Sequence, residues 1–221
     1  MMDIRLYSYF RSSAAYRVRI ALNLKGVPYK ILPVHLVHNG GEQHGTAYRS
    51  INPQGLVPCL EWTDSRGRNQ HLSQSTAICE YLEDMYPETP LLPSDAVARA
   101  QVRSLMQIIA CDLHPLNNLR VLRYLEEQQE LSKQDKMDWY FHWLDEGFKA
   151  IEARLHKNLS EDYCFGNEVT LADVFLIPQV YNAVRFKFDM EPFEKIVQVY
   201  QHCTSLKAFR IAAPENQPDA E

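Results

Sequence analysis

A proline-rich stretch near residue 90 separates two parts of the chain that have different periodicities. Three prolines occur between Tyr86 and Ser94, which is typical of a linker because proline can neither continue a helix nor pair inside a sheet. Strand and helix patterns alternate before this stretch, and only helical patterns follow it. The sequence therefore predicts two domains, residues 1–85 and 95–213, joined by a linker at 86–94 and followed by a loose tail at 214–221.

The N-terminal part follows the order β-α-β-(α)-β-β-α. Strands are expected at Ile4–Tyr9 and Tyr29–Leu36, and the short helical crossover between them predicts parallel neighbours. A turn at Asp64–Gly67 predicts an antiparallel hairpin farther along the chain. These elements predict an α/β domain.

The C-terminal part is expected to be all-α. The pattern predicts a helix over Asp95–Glu130, interrupted near Pro115, and a second over Lys133–Leu159. A capping-box variant at Thr170–Asp173 opens a very apolar, central helix, and a final helix is expected at Pro192–His202.

Charge and composition argue against several functional classes. The net charge of −5, without basic stretches interleaved with aromatic residues, argues against nucleic-acid binding. No apolar run approaches the roughly 18 residues of a membrane-spanning helix, and no signal segment precedes the first strand, so no membrane partner and a cytoplasmic location are expected. Five scattered cysteines without a C-x-x-C motif argue against disulfides and structural zinc. His35, His38 and His44 lack a carboxylate or cysteine at matching spacing, so no metal site is predicted.

Two serines stand where the first helix begins. Ser12 or Ser13 occupies the N-cap position, and a helix start presents unpaired N–H groups and partial positive charge. The hydroxyls either cap the helix only or also bind a carboxylate, phosphate or thiolate. Gln74 and Ser75 place polar side chains at a second helix start, which again suits a carboxylate.

The Val57-Pro58 bond, at the start of a predicted strand, is a candidate cis bond. A cis bond there would turn the backbone of Val57 outward, so that its N–H and C=O could pair with an extended peptide. An ordinary trans turn is the alternative, and trans is the commoner state of such bonds.

The element order, the linker and the helical second part together resemble the cytosolic glutathione transferases. The resemblance is most specific to the zeta class, which includes maleylacetoacetate and bacterial maleylpyruvate isomerases, and it covers nearly the whole chain. It implies a thioredoxin-like N-terminal domain with a mixed four-stranded sheet and a helical C-terminal domain. The motifs that carry it are Tyr9–Leu22, Asn52-Pro53 with Val57-Pro58, Gln74-Ser75, His114–Arg120 and Gly166–Asp173.

One position differs from the family pattern. The family sequence Ser-Ser-Cys reads Ser-Ser-Ala here, with Ala14 in the third place. A mechanism that needs a protein thiol at this position therefore cannot be carried over, and the thiol of glutathione becomes the expected nucleophile.

The resemblance implies a glutathione site. Ser12 would bind the sulfur, Val57 beside Pro58 would pair with the cysteinyl backbone, and Gln74 with Ser75 would hold the γ-glutamyl carboxylate. The full set of implied glutathione-binding residues is Ser12, Ser13, Ala14, Gln43, Val57, Pro58, Gln74, Ser75, His114 and Asn118, with Gln43 near the glycyl end.

Three arginines are candidates to bind the carboxylates of the substrate: Arg11, Arg120 and Arg185. Arginine suits this role because its planar fork binds carboxylates bidentately; the alternative for each is a surface or ion-pair side chain. Arg11 is grouped with Ser12 and Ser13 as a catalytic residue.

The expected function is the glutathione-dependent cis–trans isomerisation of maleylacetoacetate to fumarylacetoacetate, in tyrosine and phenylalanine catabolism, by reversible thiolate addition. The alternatives are a maleylpyruvate isomerase, a conjugating or dehalogenating transferase, and a non-catalytic glutathione-binding module. The expected partners are glutathione, a small dicarboxylate and a second copy of the chain in a homodimer.

Overall fold

The computed structural model describes residues 3–157 and 162–221. The chain divides into an N-terminal unit, drawn from residues 1–90 and 205–221, and a C-terminal unit, drawn from residues 91–204. Among the described residues, no helix combines the length and the apolar character that crossing a membrane requires.

The N-terminal unit contains a four-stranded sheet. Its strands β1 (Arg5–Ser8), β2 (Lys30–Pro33), β3 (Cys59–Thr63) and β4 (Asn69–Ser73) lie in the order β2-β1-β3-β4. β1 pairs in parallel with β2, whereas the β1–β3 and β3–β4 pairs are antiparallel. The sheet is therefore mixed, which confirms the prediction from the sequence.

The helices lie close to their predicted positions, with differences at their ends. They are α1 (Ser13–Leu24), α2 (Thr46–Arg49), α3 (Ser75–Met85), α4 (Ala96–Gln107), α5 (Leu119–Glu127), α6 (Lys133–Leu155), α7 (Leu171–Arg185), α8 (Glu194–Ser205) and α9 (Lys207–Ala212). The helix predicted over Asp95–Glu130 is split into α4 and α5, with a π-helical segment at Ile108–Leu113 and a break around Pro115. Helix α6 ends at Leu155, whereas the predicted end near Leu159 lies outside the described residues.

Helix α1 is the central helix of the N-terminal unit and packs against both α3 and α9. A buried ion pair fixes its C-terminal end, because Lys25 Nζ lies 2.6 Å from Glu83 Oε1 in α3. The same ammonium donates to the carbonyls of Tyr86 and Thr89, at 3.0 and 2.8 Å. Lys25 therefore links α1 to α3 and to the start of the proline-rich stretch.

The end of the chain belongs to the N-terminal unit. The sequence-based division placed residues 95–213 in the helical domain and 214–221 in a loose tail, whereas the structure groups residues 205–221 with the sheet. Asn23 Nδ2 donates to the Ala208 carbonyl, and Asp219 accepts a hydrogen bond from the N–H of Phe10. Helix α9, absent from the prediction, has only six residues, too few for a clear period.

The C-terminal unit is helical, and α7 lies at its core. The capping box predicted at Thr170 and Asp173 is present, and Asp173 is completely buried. Helix α6 carries Gly147 where it meets the π-helical segment, since a Cβ there would lie 2.3 Å from a methyl group of Leu113. A side chain at this position would force the two elements apart.

Candidate functional site

Three of the candidate segments in the N-terminal unit lie at the same edge of the sheet. Tyr7 in β1 lies opposite Cys59 in β3, and Cys59 lies opposite Ser73 in β4. Because β3 is antiparallel to both neighbours, the segments that follow β1 and β4 and the segment that precedes β3 leave the sheet at the same edge. These segments carry Ser12, Gln74-Ser75 and Val57-Pro58.

Ser12 is the N-cap of helix α1. Its backbone is extended (φ −69°, ψ 114°), and its Oγ accepts a hydrogen bond from the Ala15 N–H at 3.2 Å. This bond uses a lone pair of the hydroxyl oxygen, so the hydroxyl hydrogen can still be donated to an anion. Capping and anion binding are therefore compatible in one side chain. Ser13, the first residue of the helix, is buried and offers backbone at the helix start, as does the partly buried Ala14.

The turn between β1 and α1 is held by a buried arginine. The Ser12 N–H donates to the Tyr9 carbonyl at 2.9 Å. Arg19, which is fully buried, donates to the Tyr9 and Phe10 carbonyls at 3.4 and 3.0 Å and to the Ala212 carbonyl at 2.9 Å. Charge-assisted hydrogen bonds of this kind compensate the burial of the guanidinium and fix the backbone they contact.

Arg11 extends from this turn to the surface. Its side chain is 40% exposed and lies 3.8 Å from the carboxylate of Glu221, with its guanidinium 4.6 Å from the centre of the Phe10 ring. An exposed ion pair of this length contributes little stability. The guanidinium can therefore exchange Glu221 for another carboxylate.

The Val57–Pro58 bond is cis, as the sequence suggested. The carbonyl of the preceding Leu56 accepts hydrogen bonds from the Tyr48 hydroxyl at 2.6 Å and from the Asn52 side-chain amide at 2.7 Å. No hydrogen bond recorded within the described residues uses the backbone N–H or C=O of Val57. Both groups therefore remain for an extended peptide.

Gln74 has an unusual backbone conformation at the start of helix α3. Its φ is +73°, in the left-handed region that residues other than glycine rarely adopt, and its Nε2 donates to Gln54 Oε1 at 2.8 Å. The neighbouring Ser75 is buried, and its Oγ accepts from Arg17 Nη1 at 3.3 Å. Backbone strain of this kind persists where the surroundings enforce it, and it clusters at binding sites.

Arg17 is a site residue that the sequence reasoning missed. It is 2% exposed and brings a guanidinium to the start of α3. Burial raises the pKa of the nearby Cys79 thiol to about 12, and the charge of Arg17 opposes that rise. A buried cation at a helix start strengthens its attraction for a carboxylate. The signal was available, because Arg17 lies three residues after Ala14 on the apolar face of α1.

Gln43, expected near the glycyl end of glutathione, is a buried residue. Its side chain is buried beneath Gly41, where a Cβ would lie 2.5 Å from Gln43 Nε2. That nitrogen lies 3.5 Å from the Leu36 carbonyl and 3.1 Å from His44 Nε2. The Oε1 atom has no partner among the described residues, and a buried amide oxygen in this state can accept a hydrogen bond from a ligand.

In the C-terminal unit, the structure brings His114 and Asn118 together. Asn118 Nδ2 lies 3.4 Å from His114 Nε2, and Asn118 Oδ1 caps α5 by accepting the Arg120 N–H at 3.1 Å. The Arg120 residue is exposed. Asn118 is thus fixed by the helix start, which leaves its amide beside the imidazole.

Arg185, at the end of α7, is oriented by its own helix. Its Nε and Nη2 donate to Asn182 Oδ1 at 3.2 and 2.9 Å, and its guanidinium stacks on Phe186 at 4.2 Å. Asn182 in turn donates to the Tyr140 hydroxyl at 2.9 Å. Burial raises the pKa of Tyr140, so this hydroxyl stays neutral at physiological pH.

One cluster among the described residues has the composition of a metal site: His35, His38 and Glu221. The Nε2 atoms of both histidines lie 3.2 Å from Glu221 Oε1. His35 Nδ1 accepts hydrogen bonds from the N–H groups of Val37 and His38, at 3.2 and 2.8 Å. A neutral His35 therefore carries its proton on Nε2, where a metal would need a lone pair. The Nε2 atom of His35 makes no hydrogen bond among the described residues, although the Glu221 carboxylate lies at ion-pair distance from it.

Known proteins match the chain over its whole length. Residues 11–85 match the family model of the glutathione S-transferase N-terminal domain, and residues 124–207 match that of the C-terminal domain. The probable maleylacetoacetate isomerase of Vibrio cholerae is 47% identical, with 100% of both chains covered.

Two solved structures carry the comparison further. The holo structure of a maleylpyruvate isomerase, described as a bacterial zeta-class glutathione S-transferase, has a TM-score of 0.92 at 44% identity and covers 98% of this chain and 100% of that chain. A maleylacetoacetate isomerase of Anaeromyxobacter dehalogenans, with dicarboxyethyl glutathione and citrate in its active site, has a TM-score of 0.89 at 39% identity. That alignment covers 100% of this chain and 98% of the relative.

Proposed function

The chain belongs to the zeta class of the glutathione S-transferases, and from this membership we propose that it is a glutathione-dependent isomerase that converts maleylacetoacetate to fumarylacetoacetate. The observation that carries the proposal is the sheet edge that brings together Ser12, the start of α3 and the backbone of Val57, which has no hydrogen-bond partner among the described residues. These groups match the thiol, the peptide backbone and the γ-glutamyl carboxylate of glutathione in chemical type.

The residues of the sheet edge fit glutathione group by group. The N–H and C=O of Val57 pair with the cysteinyl backbone, and the start of α3, with Gln74, Ser75 and Arg17 behind it, holds the γ-glutamyl carboxylate. The buried amide oxygen of Gln43 has no partner among the described residues. It can accept a hydrogen bond from the rest of the tripeptide. For His114 and Asn118, a role in glutathione binding remains a prediction from the sequence.

Ser12 holds the sulfur as a thiolate. A free thiol titrates near 8.5; a charge-assisted hydrogen bond stabilises the anion by about 1.5–3 kcal/mol and the helix start by about 0.3–1 kcal/mol. Since 1.36 kcal/mol corresponds to one pKa unit, the bound thiol is expected to titrate about one to two units lower. Ala14 contributes no thiol, so the reactive sulfur is that of glutathione.

Bound glutathione supplies a thiolate that adds reversibly to the olefin, so that the former double bond can rotate and the trans isomer can form. The chain orients the substrate and neutralises its carboxylates through Arg11, Arg120 and Arg185. Arg185 is held by Asn182 and Phe186 in a fixed orientation. Arg11 can exchange its weak contact with Glu221 for a carboxylate of the substrate. Positioned arginines of this kind favour a near-attack geometry.

Maleylpyruvate is the second candidate substrate. It is favoured by the TM-score of 0.92 to a structure named maleylpyruvate isomerase. Both substrates are dicarboxylates with a cis double bond, so the same arginines serve either of them.

The proposal includes a homodimer and a cytoplasmic location. Closed two-fold dimers are the commonest assembly of soluble chains. All five cysteines are free, which suits a reducing compartment in which glutathione is also kept as the thiol. Analytical ultracentrifugation tests the dimer, which is expected at twice the mass of the chain.

The decisive experiment assays maleylacetoacetate and maleylpyruvate side by side, with and without glutathione, while following both the trans product and the remaining thiol. We expect glutathione-dependent turnover without loss of thiol, faster for maleylacetoacetate. Equal rates without glutathione would overturn the proposal. Loss of one thiol per turnover would indicate a conjugating or dehalogenating transferase, and glutathione binding without turnover of either substrate would indicate a binding module.

A further inference from the structure

We propose that the C-terminal segment, Pro214–Glu221, positions the turn that presents Ser12, and that Asp219 is the positioning residue. The inference rests on the proposed glutathione site, because that site gives the position of Ser12 its importance. Asp219 itself touches no reacting group; it acts through the backbone of the turn.

Asp219 contacts the turn two residues before Ser12. Its Oδ2 accepts the Phe10 N–H at 3.0 Å, although the two residues are 209 positions apart in the sequence. Phe10 is 4% exposed, so water has little access to replace the carboxylate at this amide. An unpaired amide in such a place is strongly disfavoured, and the backbone is therefore expected to shift when Asp219 is lost.

The carbonyl group of Phe10 is held by the buried Arg19. The Phe10 carbonyl accepts from Arg19 at 3.0 Å, and the same guanidinium donates to the Ala212 carbonyl at 2.9 Å. Both backbone groups of Phe10 therefore depend, directly or through Arg19, on residues 212–219. With its two ends fixed, the Phe10 backbone sets where the chain enters helix α1.

The C-terminal segment is itself anchored. Gln217 Nε2 donates to the carbonyls of Ile211 and Ala213, both at 2.9 Å, and Asn216 Nδ2 donates to the Arg210 carbonyl at 2.7 Å. Farther on, Glu221 reaches the side chains of Arg11, His35 and His38. The segment is thus anchored to α9 and contacts the turn at Phe10 and Arg11.

The test compares Asp219→Ala with Asp219→Asn, which keeps an acceptor oxygen. Asp95→Ala is the matched control, because the Asp95 carboxylate also accepts a backbone N–H, that of Ala98 at 2.8 Å, but does so at the start of α4. Three quantities are measured: amide hydrogen exchange over residues 9–12 in the glutathione-free protein, the pKa of bound glutathione from thiolate absorbance, and kcat and KM of the isomerisation.

In Asp219→Ala, we expect faster exchange at residues 9–12, a glutathione thiol pKa about half a unit to one unit higher, and a kcat about tenfold lower. Asp219→Asn should recover most of each effect, and Asp95→Ala should change none of the three.

A purely structural role would lower the melting temperature of Asp219→Ala while leaving the thiol pKa and the exchange at residues 9–12 unchanged; that result would overturn the proposal. If the parent protein isomerises neither substrate, the proposed function fails, but the exchange measurement on the glutathione-free protein still decides the role of Asp219.

Discussion

At the scale of single residues, Ser12 caps helix α1 and is proposed to bind the sulfur of glutathione, and Ser12→Ala removes both interactions. In Ser12→Ala, kcat/KM should fall about a hundredfold or more, because a hydrogen-bond donor to the reacting anion is lost. The thiol of bound glutathione should titrate about one to two units higher, which moves the rising limb of the pH–rate profile to higher pH. Loss of the N-cap should lower the free energy of unfolding by only about 1 kcal/mol.

The measurements for Ser12→Ala are steady-state kinetics over pH, thiolate absorbance and urea unfolding. Ser50→Ala is the control, because Ser50 donates to the carbonyl of Ala47 on an exposed surface and should leave all three unchanged. An activity loss without a change in the thiol pKa would mean that Ser12 does not contact the sulfur.

The role of Arg17 can be tested by changing the ligand together with the protein. Arg17→Met should raise the Kd of glutathione about tenfold or more, because a charge-assisted hydrogen bond near the γ-glutamyl carboxylate is worth about 1.5–3 kcal/mol. Cysteinylglycine, which lacks the γ-glutamyl group, should bind the parent protein and the variant alike. Isothermal titration calorimetry measures both; an equal loss for the two ligands would contradict the assignment.

At the scale of elements, the Lys25–Glu83 pair joins α1 to α3. Glu83→Gln leaves the buried ammonium without its counter-charge and should lower the free energy of unfolding by about 3–5 kcal/mol. The double variant Lys25→Met/Glu83→Leu should recover much of that loss, because it removes both charges. Urea unfolding of Lys25→Met, Glu83→Leu and the double variant measures the coupling, and additive effects would contradict it.

The sheet contains a carboxylate network that predicts a pH dependence. Glu61 in β3 accepts hydrogen bonds from His71 in β4 and from Tyr7 in β1, at 2.8 and 3.1 Å. Burial raises the pKa of Glu61. The two hydrogen bonds and the charges of His71 and Arg5 lower it by more than burial raises it, so the net pKa lies below the ordinary value of a glutamate. The stabilisation is therefore complete above the ordinary pKa of a glutamate and is lost as the pH falls through the lower folded-state pKa.

Thermal melts of the parent protein and of Glu61→Gln should accordingly differ most at neutral pH and converge in acid. A difference that stays constant down to the acid range would show that the charge of Glu61 does not stabilise the sheet.

At the scale of the whole molecule, the N-terminal unit is built from two distant parts of the sequence. A chain of residues 1–90 alone should fail to fold cooperatively, because Arg19 and Asn23 lose their carbonyl partners and α1 loses its contact with α9. Circular dichroism and urea unfolding of this chain against the full chain test the expectation. A sharp unfolding transition of residues 1–90 would contradict it.

Local sequence signals predicted features of both units. The N-cap at Ser12, the capping box at Thr170 and the candidate cis bond before Pro58 are each determined by a few adjacent residues. The contact between Phe10 and Asp219 leaves no such signal, because it joins residues 209 positions apart. The burial of the Gln43 side chain was likewise not predictable, because it depends on the close approach of Gly41.

The discontinuity of the N-terminal unit also has a consequence for protein synthesis. A ribosome makes the sheet and α1 well before Ala212 and Asp219, the residues that complete the support of the Ser12 turn. Domains usually fold as they emerge, from the N-terminus onward. Here the sheet and α1 of a nascent chain lack the contacts that support the Ser12 turn until residues 205–221 have emerged, so the proposed glutathione site is completed late relative to the rest of the N-terminal unit.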